Sequence, residues 1–102
     1  MNLQVQSIHF DADQSLLDYI QEKCDKLDHF FDRITDGQVY LKVEREQKNN
    51  NKTVEIKINV PGETLIASRE RVNTFEEGTD LCTDNLKRQL KRYKEKLRAH
   101  HQ

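Results

Sequence analysis

The stretch from Thr74 to Ala99 constrains this chain more than any other. Cys82, Leu86, Leu90, Tyr93 and Leu97 recur at spacings of 4, 4, 3 and 4, so on a helix they form one apolar stripe. Thr74 with Glu77 three residues on is a capping-box pattern and fixes the start of that helix. A helix with a single stripe must lay it on another layer. The far side is basic. From Asp84 to Gln102 there are seven Lys or Arg against two acids, Asp84 and Glu95, while the other 83 residues hold ten bases and sixteen acids. A chain of net charge −1 thus divides into segments of −6 and +5. Such asymmetry points to a polyanionic partner more clearly than the near-neutral total does.

The remainder supplies the layer. Asn2 to Ile8 alternates, with Leu3 and Val5 on one face, and predicts a short strand. Asp11 or Asp13 suits the N-cap of the next helix. Leu17, Ile20, Cys24, Leu27 and Phe31 then follow at spacings of 3, 4, 3 and 4, which predicts an amphipathic helix of roughly five turns from Leu16 to Phe31. Its flanks are sorted. Asp18, Glu22, Asp25 and Asp28 share one shoulder, and Tyr19, Lys23, Lys26 and Phe30 the other. Asp36-Gly37 reads as a closing turn.

Val39, Leu41 and Val43 alternate with Tyr40, Lys42 and Glu44 as a second strand. QKNNNK, from Gln47 to Lys52, is a polar loop. Val54, Ile56, Ile58 and Val60 alternate with Glu55, Lys57 and Asn59 as a third strand. Pro61-Gly62 fits the centre of a type II turn. Thr64 to Glu70 returns as a fourth strand with Leu65 and Ala67 on one face, and Arg69 to Asn73 leads into the last helix.

The order β-α-β-β-β-α predicts an α+β fold, a two-layer sandwich of a four-stranded sheet with both helices on one face. Strands two to four form an antiparallel meander. The first reaches the sheet through a helical crossover and lies parallel beside the second. Tyr40, Lys42, Glu44, Glu55, Lys57 and Asn59 face solvent on the opposite side. This layout resembles double-stranded-RNA-binding folds.

A chain of 102 residues has the length of one domain, spanning 1–102. Charged residues make up 34%, but both signs alternate with periodic apolar positions, which argues for folding rather than disorder. No apolar run approaches a membrane span, and MNLQVQ has no signal-peptide pattern, so the expectation is a cytoplasmic protein without a membrane partner. Cys24 and Cys82 lie on the two apolar stripes and read as packing residues, not as a disulfide or metal site. There is no Gly-rich phosphate loop, GxSxG, HExxH or CxxC, and only three glycines in all. No catalytic residue, cofactor, metal or small-molecule substrate is expected, and the protein is not read as an enzyme. The acids of the first helix are spaced for a solvated face. His9 and His29 have no partners nearby in sequence, and His100-His101 reads as a frayed tail rather than a metal site.

The bland reading of the basic helix face is solvation. Lys94, Lys96 and Arg98 sit near the C-terminus, where cations complement the helix dipole, and Asp84 is placed to pair with Arg88 one turn on. A merely soluble face interleaves both signs. Lys87, Lys91 and Arg92 lie too far from the end for the dipole to account for them. The basic shoulder of the first helix, if adjacent, extends the positive track through Lys23, Lys26 and Arg33. Such a track suits phosphates, because Lys and Arg release condensed counterions. With no aromatic pair on a central strand and Tyr40 alone weak, recognition of RNA shape and backbone is expected over base reading. The alternative is a protein-interaction module whose last helix docks on an acidic protein groove.

DLCTDNLKRQLKRYK, from Asp80 to Lys94, resembles the signature of the ribosome hibernation-promoting factors, also called ribosome-associated inhibitors: an Asp, a Leu-x-Arg-Gln-Leu core and a basic tail. YIQEKCDKLDHFFDRI, from Tyr19 to Ile34, resembles the family's first helix. The resemblance covers nearly the whole chain and is to the short form, which lacks a C-terminal dimerisation domain. It implies a non-catalytic protein, monomeric when free, that binds the small ribosomal subunit between head and body. There it occupies the path of mRNA and the A- and P-site tRNAs, so that idle ribosomes of stressed or stationary-phase bacteria are silenced and protected. By position, the residues implied in contacts to ribosomal RNA are Lys23, Lys26, Arg88, Lys91, Arg92 and Lys94. Lys87 stands where many relatives carry an acid, and Asn85 where many carry lysine.

Overall fold

The computed structural model describes residues 1–100; His101 and Gln102 lie outside them, as does the reading of the histidine tail. In chain order the elements are β1 (Asn2–Ile8), α1 (Gln14–Asp25), a 3-10 turn (Lys26–His29), β2 (Asp36–Val43), β3 (Lys52–Val60), β4 (Glu63–Val72) and α2 (Phe75–His100). The fold is the expected α+β sandwich. The sheet order is β1-β2-β3-β4, with β1 parallel to β2 and the other pairs antiparallel. Val39, Leu41, Val54, Ile56, Ile58, Leu65 and Ala67 are buried on one sheet face, against Ile20, Cys24 and Leu27 from the first helical segment and Cys82, Leu86, Leu90 and Tyr93 from α2. Strand alternation and helical periodicity thus meet in one core.

The first helix is shorter than its periodicity suggests. Asp13 caps it, accepting from the Leu16 backbone N–H at 2.8 Å. The α-helical pattern ends at Asp25, and Leu27 and Phe31 reach the core from a tightened 3-10 turn and the residues after it. Tightening of this kind lets terminal carbonyls find i→i+3 partners: both Phe30 and Phe31 N–H groups donate to the Leu27 carbonyl, at 3.0 and 3.2 Å. Leu16, not Leu17, is the buried leucine of the first turn.

Asp36-Gly37 is not a turn. Both residues open β2, paired to Asn2 and Leu3 on one side and to Asn59 and Ile58 on the other. The glycine serves close packing, since a Cβ there would meet Leu3 Cδ2 at 2.6 Å. Pro61-Gly62 does turn the chain, with Gly62 at φ +78° between the paired residues Val60 and Glu63. Lys52, placed in the loop by its polarity, opens β3. The fourth strand runs on through Val72 because a bulge intervenes: Lys52 pairs with Val72 but Val54 with Arg69, and Arg71 adopts φ 59°. The extra residue shifts the alternation by one, so Val72 points inward like Leu65 and Ala67.

Thr74 caps α2 as expected, its Oγ1 accepting from the Glu77 N–H at 3.0 Å. Glu77 reaches back one residue further than a capping box requires, to the Asn73 N–H at 3.4 Å. Gly78 lets the helix approach the sheet, because a Cβ there would lie 2.6 Å from Val54 Cγ2.

Candidate nucleic-acid interface

Two tethers set the first helix beside α2. Near their starts, Asp80 accepts from the Tyr19 hydroxyl at 2.6 Å and pairs with Lys23 Nζ at 3.2 Å. The carboxylate beside it, with partial burial, pushes the Tyr19 phenol up to about 12. Farther along, Phe31 packs edge-on against Tyr93 at 5.2 Å between ring centroids, and Lys94 Nζ donates to the Phe30 carbonyl at 2.8 Å. Residues 19 and 23 meet 80, and residues 30 and 31 meet 93 and 94, so the two helical segments run in the same direction.

Between them lies an open groove of about 630 Å³, lined by Phe30, Asp84, Lys87, Arg88, Lys91, Lys94, Glu95 and Arg98. Lys87, Lys91, Lys94 and Arg98 follow one another at 4, 3 and 4 residues. They form a cationic stripe with the same periodicity as the apolar one behind it. Five cations and two acids line the groove. Asp84 forms no ion pair with Arg88, and among the described residues no acid lies within 4.0 Å of Arg88, Lys91, Arg92 or Arg98. The helix therefore holds several cations close together without neutralising them, and fixed exposed charge of one sign raises the local concentration of anions.

The structure sorts the expected residues. Lys87, Arg88, Lys91 and Lys94 share the groove. Lys23 is half-buried and engaged with Asp80. Lys26 does not join the track: one turn after Glu22, it lines a shallow hollow with Asp18, Glu22, Asp25 and His29. Arg33 is exposed with its guanidinium 5.2 Å from the Phe31 ring centre. Arg92 is exposed but lies outside the groove lining. The sequence reading passed over two groove residues. Arg98 completes the 4-3-4 cationic spacing, and its explanation by the helix dipole hid that register. Phe30 stands on the basic shoulder of the first helix, and its place beside Phe31 in a helical pattern drew no attention to it.

The opposite sheet face is mostly polar, with Ile66 exposed on it, and its charges are balanced. Lys42 pairs with Glu44 at 2.8 Å and Lys57 with Glu55 at 3.7 Å. Cys24 and Cys82 are buried free thiols, pushed up to about 12 and about 11 chiefly by burial. Among the described residues no group of three or more His, Cys, Asp or Glu is placed to hold a metal. No helix among the described residues is long and apolar enough to cross a membrane.

Known proteins resemble this chain in sequence or in fold. The chain is 35% identical over 99 residues to a ribosome hibernation promoting factor of Pseudomonas putida, covering 97% of this chain and 92% of that protein. It is 31% identical over 100 residues to the ribosome hibernation promoting factor of Escherichia coli K12, covering 98% and 100% of the two chains. A ribosomal subunit interface protein from Coxiella burnetii has the same fold, with a TM-score of 0.80 over 92% of this chain and 98% of that one, at 22% identity. The model of the Sigma 54 modulation protein / S30EA ribosomal protein family matches residues 3–98. With that match spanning nearly every element of the fold, the chain belongs to the Sigma 54 modulation protein / S30EA ribosomal protein family, the ribosome hibernation-promoting factors.

Proposed function

We propose that this protein binds the small ribosomal subunit in the channel for mRNA and the A- and P-site tRNAs, blocks translation there, and stabilises idle ribosomes in the bacterial cytoplasm. The action is by occupancy, without catalysis. The observation that carries the reading is the un-neutralised stripe of Lys87, Lys91, Lys94 and Arg98 on the outer face of α2, with Arg88 beside it. Relatives of nearly the same length that are named for ribosome hibernation support the choice of ribosomal RNA as the polyanion. Lysine and arginine contacts to phosphates position a protein on RNA without reading its sequence.

The chemistry is counterion release. If the stripe neutralises about four phosphates, log K falls against log salt with a slope near −3, taking about 0.7 per phosphate for single strands and slightly more for helical RNA. Co-sedimentation of the protein with purified small subunits across a salt series tests this. Saturable binding with a steep slope, and inhibition of translation in the same range, is the expected result. A shallow slope, or tighter binding to an acidic protein surface than to subunits, refutes it.

A further inference from the structure

Phe30 and Phe31 are neighbours with opposite fates. Phe31 is 7% exposed in the core, whereas Phe30 is 40% exposed in the basic groove. Among the described residues, Phe30 is the only aromatic among the exposed large hydrophobic side chains. Its position is held from both sides of the residue. Lys94 binds its carbonyl at 2.8 Å, and the Lys87 ammonium sits 4.5 Å from the centre of its ring. The Phe30 ring lies outside the buried core, which Phe31 joins. Set among cations, it matches a nucleotide, which has an aromatic base and an anionic phosphate a few ångströms apart.

We propose that Phe30 is a stacking platform for one unpaired RNA base, and that Lys87 covers the ring until the base arrives and then moves to the adjacent phosphate. This rests on the ribosomal RNA reading and adds to it a requirement for at least one unstacked nucleotide. The exchange is favourable on magnitudes. An exposed cation–π contact strengthens an equilibrium about two- to fivefold. Stacking of a base on an aromatic side chain strengthens binding about 5- to 150-fold. The base therefore displaces the ammonium from the ring, and the flexible lysine stem carries the charge to where a phosphate lies. Backbone contacts by Lys91 and Arg88 continue the path along the strand.

The test compares wild type, Phe30→Leu and Phe30→Tyr on three RNAs: a single-stranded oligoadenylate, a blunt RNA duplex of equal length, and small ribosomal subunits. Salt series give the charge contribution separately, and thermal melts establish that each variant is folded. Phe30→Leu is expected to lose about 5- to 150-fold in affinity for oligoadenylate and subunits with an unchanged salt slope, to bind the duplex as wild type does, and to be rescued by Phe30→Tyr. Equal affinity of wild type and Phe30→Leu for oligoadenylate overturns the stacking role, and so does an equal loss on the duplex. So does a polyglutamate peptide that binds with the same dependence on Phe30. Subunit binding without a Phe30 effect rejects the platform while leaving the ribosome reading intact. A Phe30 effect on oligoadenylate with no binding to subunits does the reverse.

Discussion

The tether at Asp80 fixes how the two helices meet, and its removal has a calculable effect. One carboxylate oxygen accepts the Tyr19 hydroxyl at 2.6 Å and faces Lys23 Nζ at 3.2 Å. The Asp80 side chain is 45% exposed and that of Lys23 30%. A hydrogen bond to a charged group contributes about 1.5–3 kcal/mol when well shielded, and an exposed ion pair about 0.2–1 kcal/mol. With water reaching half of the carboxylate, Asp80→Ala is expected to lose about 1–2 kcal/mol in all. For a domain of this size that lowers Tm by roughly 5–15 °C. The phenol supplies an independent readout. Tyr19, held up to about 12 chiefly by the Asp80 hydrogen bond, should return toward the ordinary tyrosine value of about 10 in the variant. The sign follows from linkage. A phenol raised in the folded state stabilises it fully below its unfolded pKa, and that contribution is lost as pH rises from about 10 through about 12. Ultraviolet titration of tyrosine ionisation and thermal melts of wild type and variant measure both effects. An unchanged phenol titration in a folded Asp80→Ala protein refutes the tether.

Other expectations follow from the core and the surface. Leu90 is fully buried in mid-stripe, so Leu90→Ala should lose about 2–5 kcal/mol in urea denaturation, and an unchanged midpoint contradicts the packing described. The Cys24 and Cys82 thiols are buried and raised to about 12 and about 11. They should stay unreactive toward disulfide reagents at neutral pH until the protein unfolds, and the double Cys→Ala variant should bind subunits like wild type. The Met1 ammonium bonds Asp25 and Asp28 at 2.7 Å each, which lowers the Asp25 pKa and raises that of the amine. Asp25 loses its contribution as pH falls below the ordinary carboxylate range, and the amine loses its own as pH rises above about 8. The Asp25→Asn/Asp28→Asn variant should therefore lose up to about 1 kcal/mol near pH 6 and converge on wild type at both extremes; a constant offset from pH 3 to 10 argues against the pairing.

Sequence periodicity carried most of the fold. A stripe at 4, 4, 3 and 4 residues admits little but a helix, and four alternating runs admit little but strands, so the order and the meander were legible before any coordinate. What escaped depended on neighbours distant in sequence. Asp36-Gly37 has the composition of a turn, and only Leu3 packing against Gly37 explains a glycine in a paired strand. The shift at Arg71 follows from a bulge that alternation alone does not announce. The cationic stripe was readable in outline because one element carries it. The groove was not, because it exists only where the end of the first helical segment meets α2. Phe30, just past the 3-10 turn, faces the cations there, while Lys26 lies among acids one turn after Glu22.

The most direct test of which face meets the ribosome is small-subunit affinity across a salt series for two double variants. Arg88→Ala/Lys91→Ala removes two groove cations that have no acidic partner within 4.0 Å among the described residues. As surface changes, the two substitutions should each alter stability by no more than about 0.5 kcal/mol. Lys42→Ala/Lys57→Ala removes two cations from the opposite sheet face, where each already has an acid beside it. The groove pair should weaken binding and make the slope of log K against log salt shallower by about 1.4–1.8, the share of two phosphates. The sheet pair should leave affinity and slope at their wild-type values. Equal damage from the two pairs, or greater damage from the sheet pair, places the ribosome on the strands and contradicts an interface built on α2.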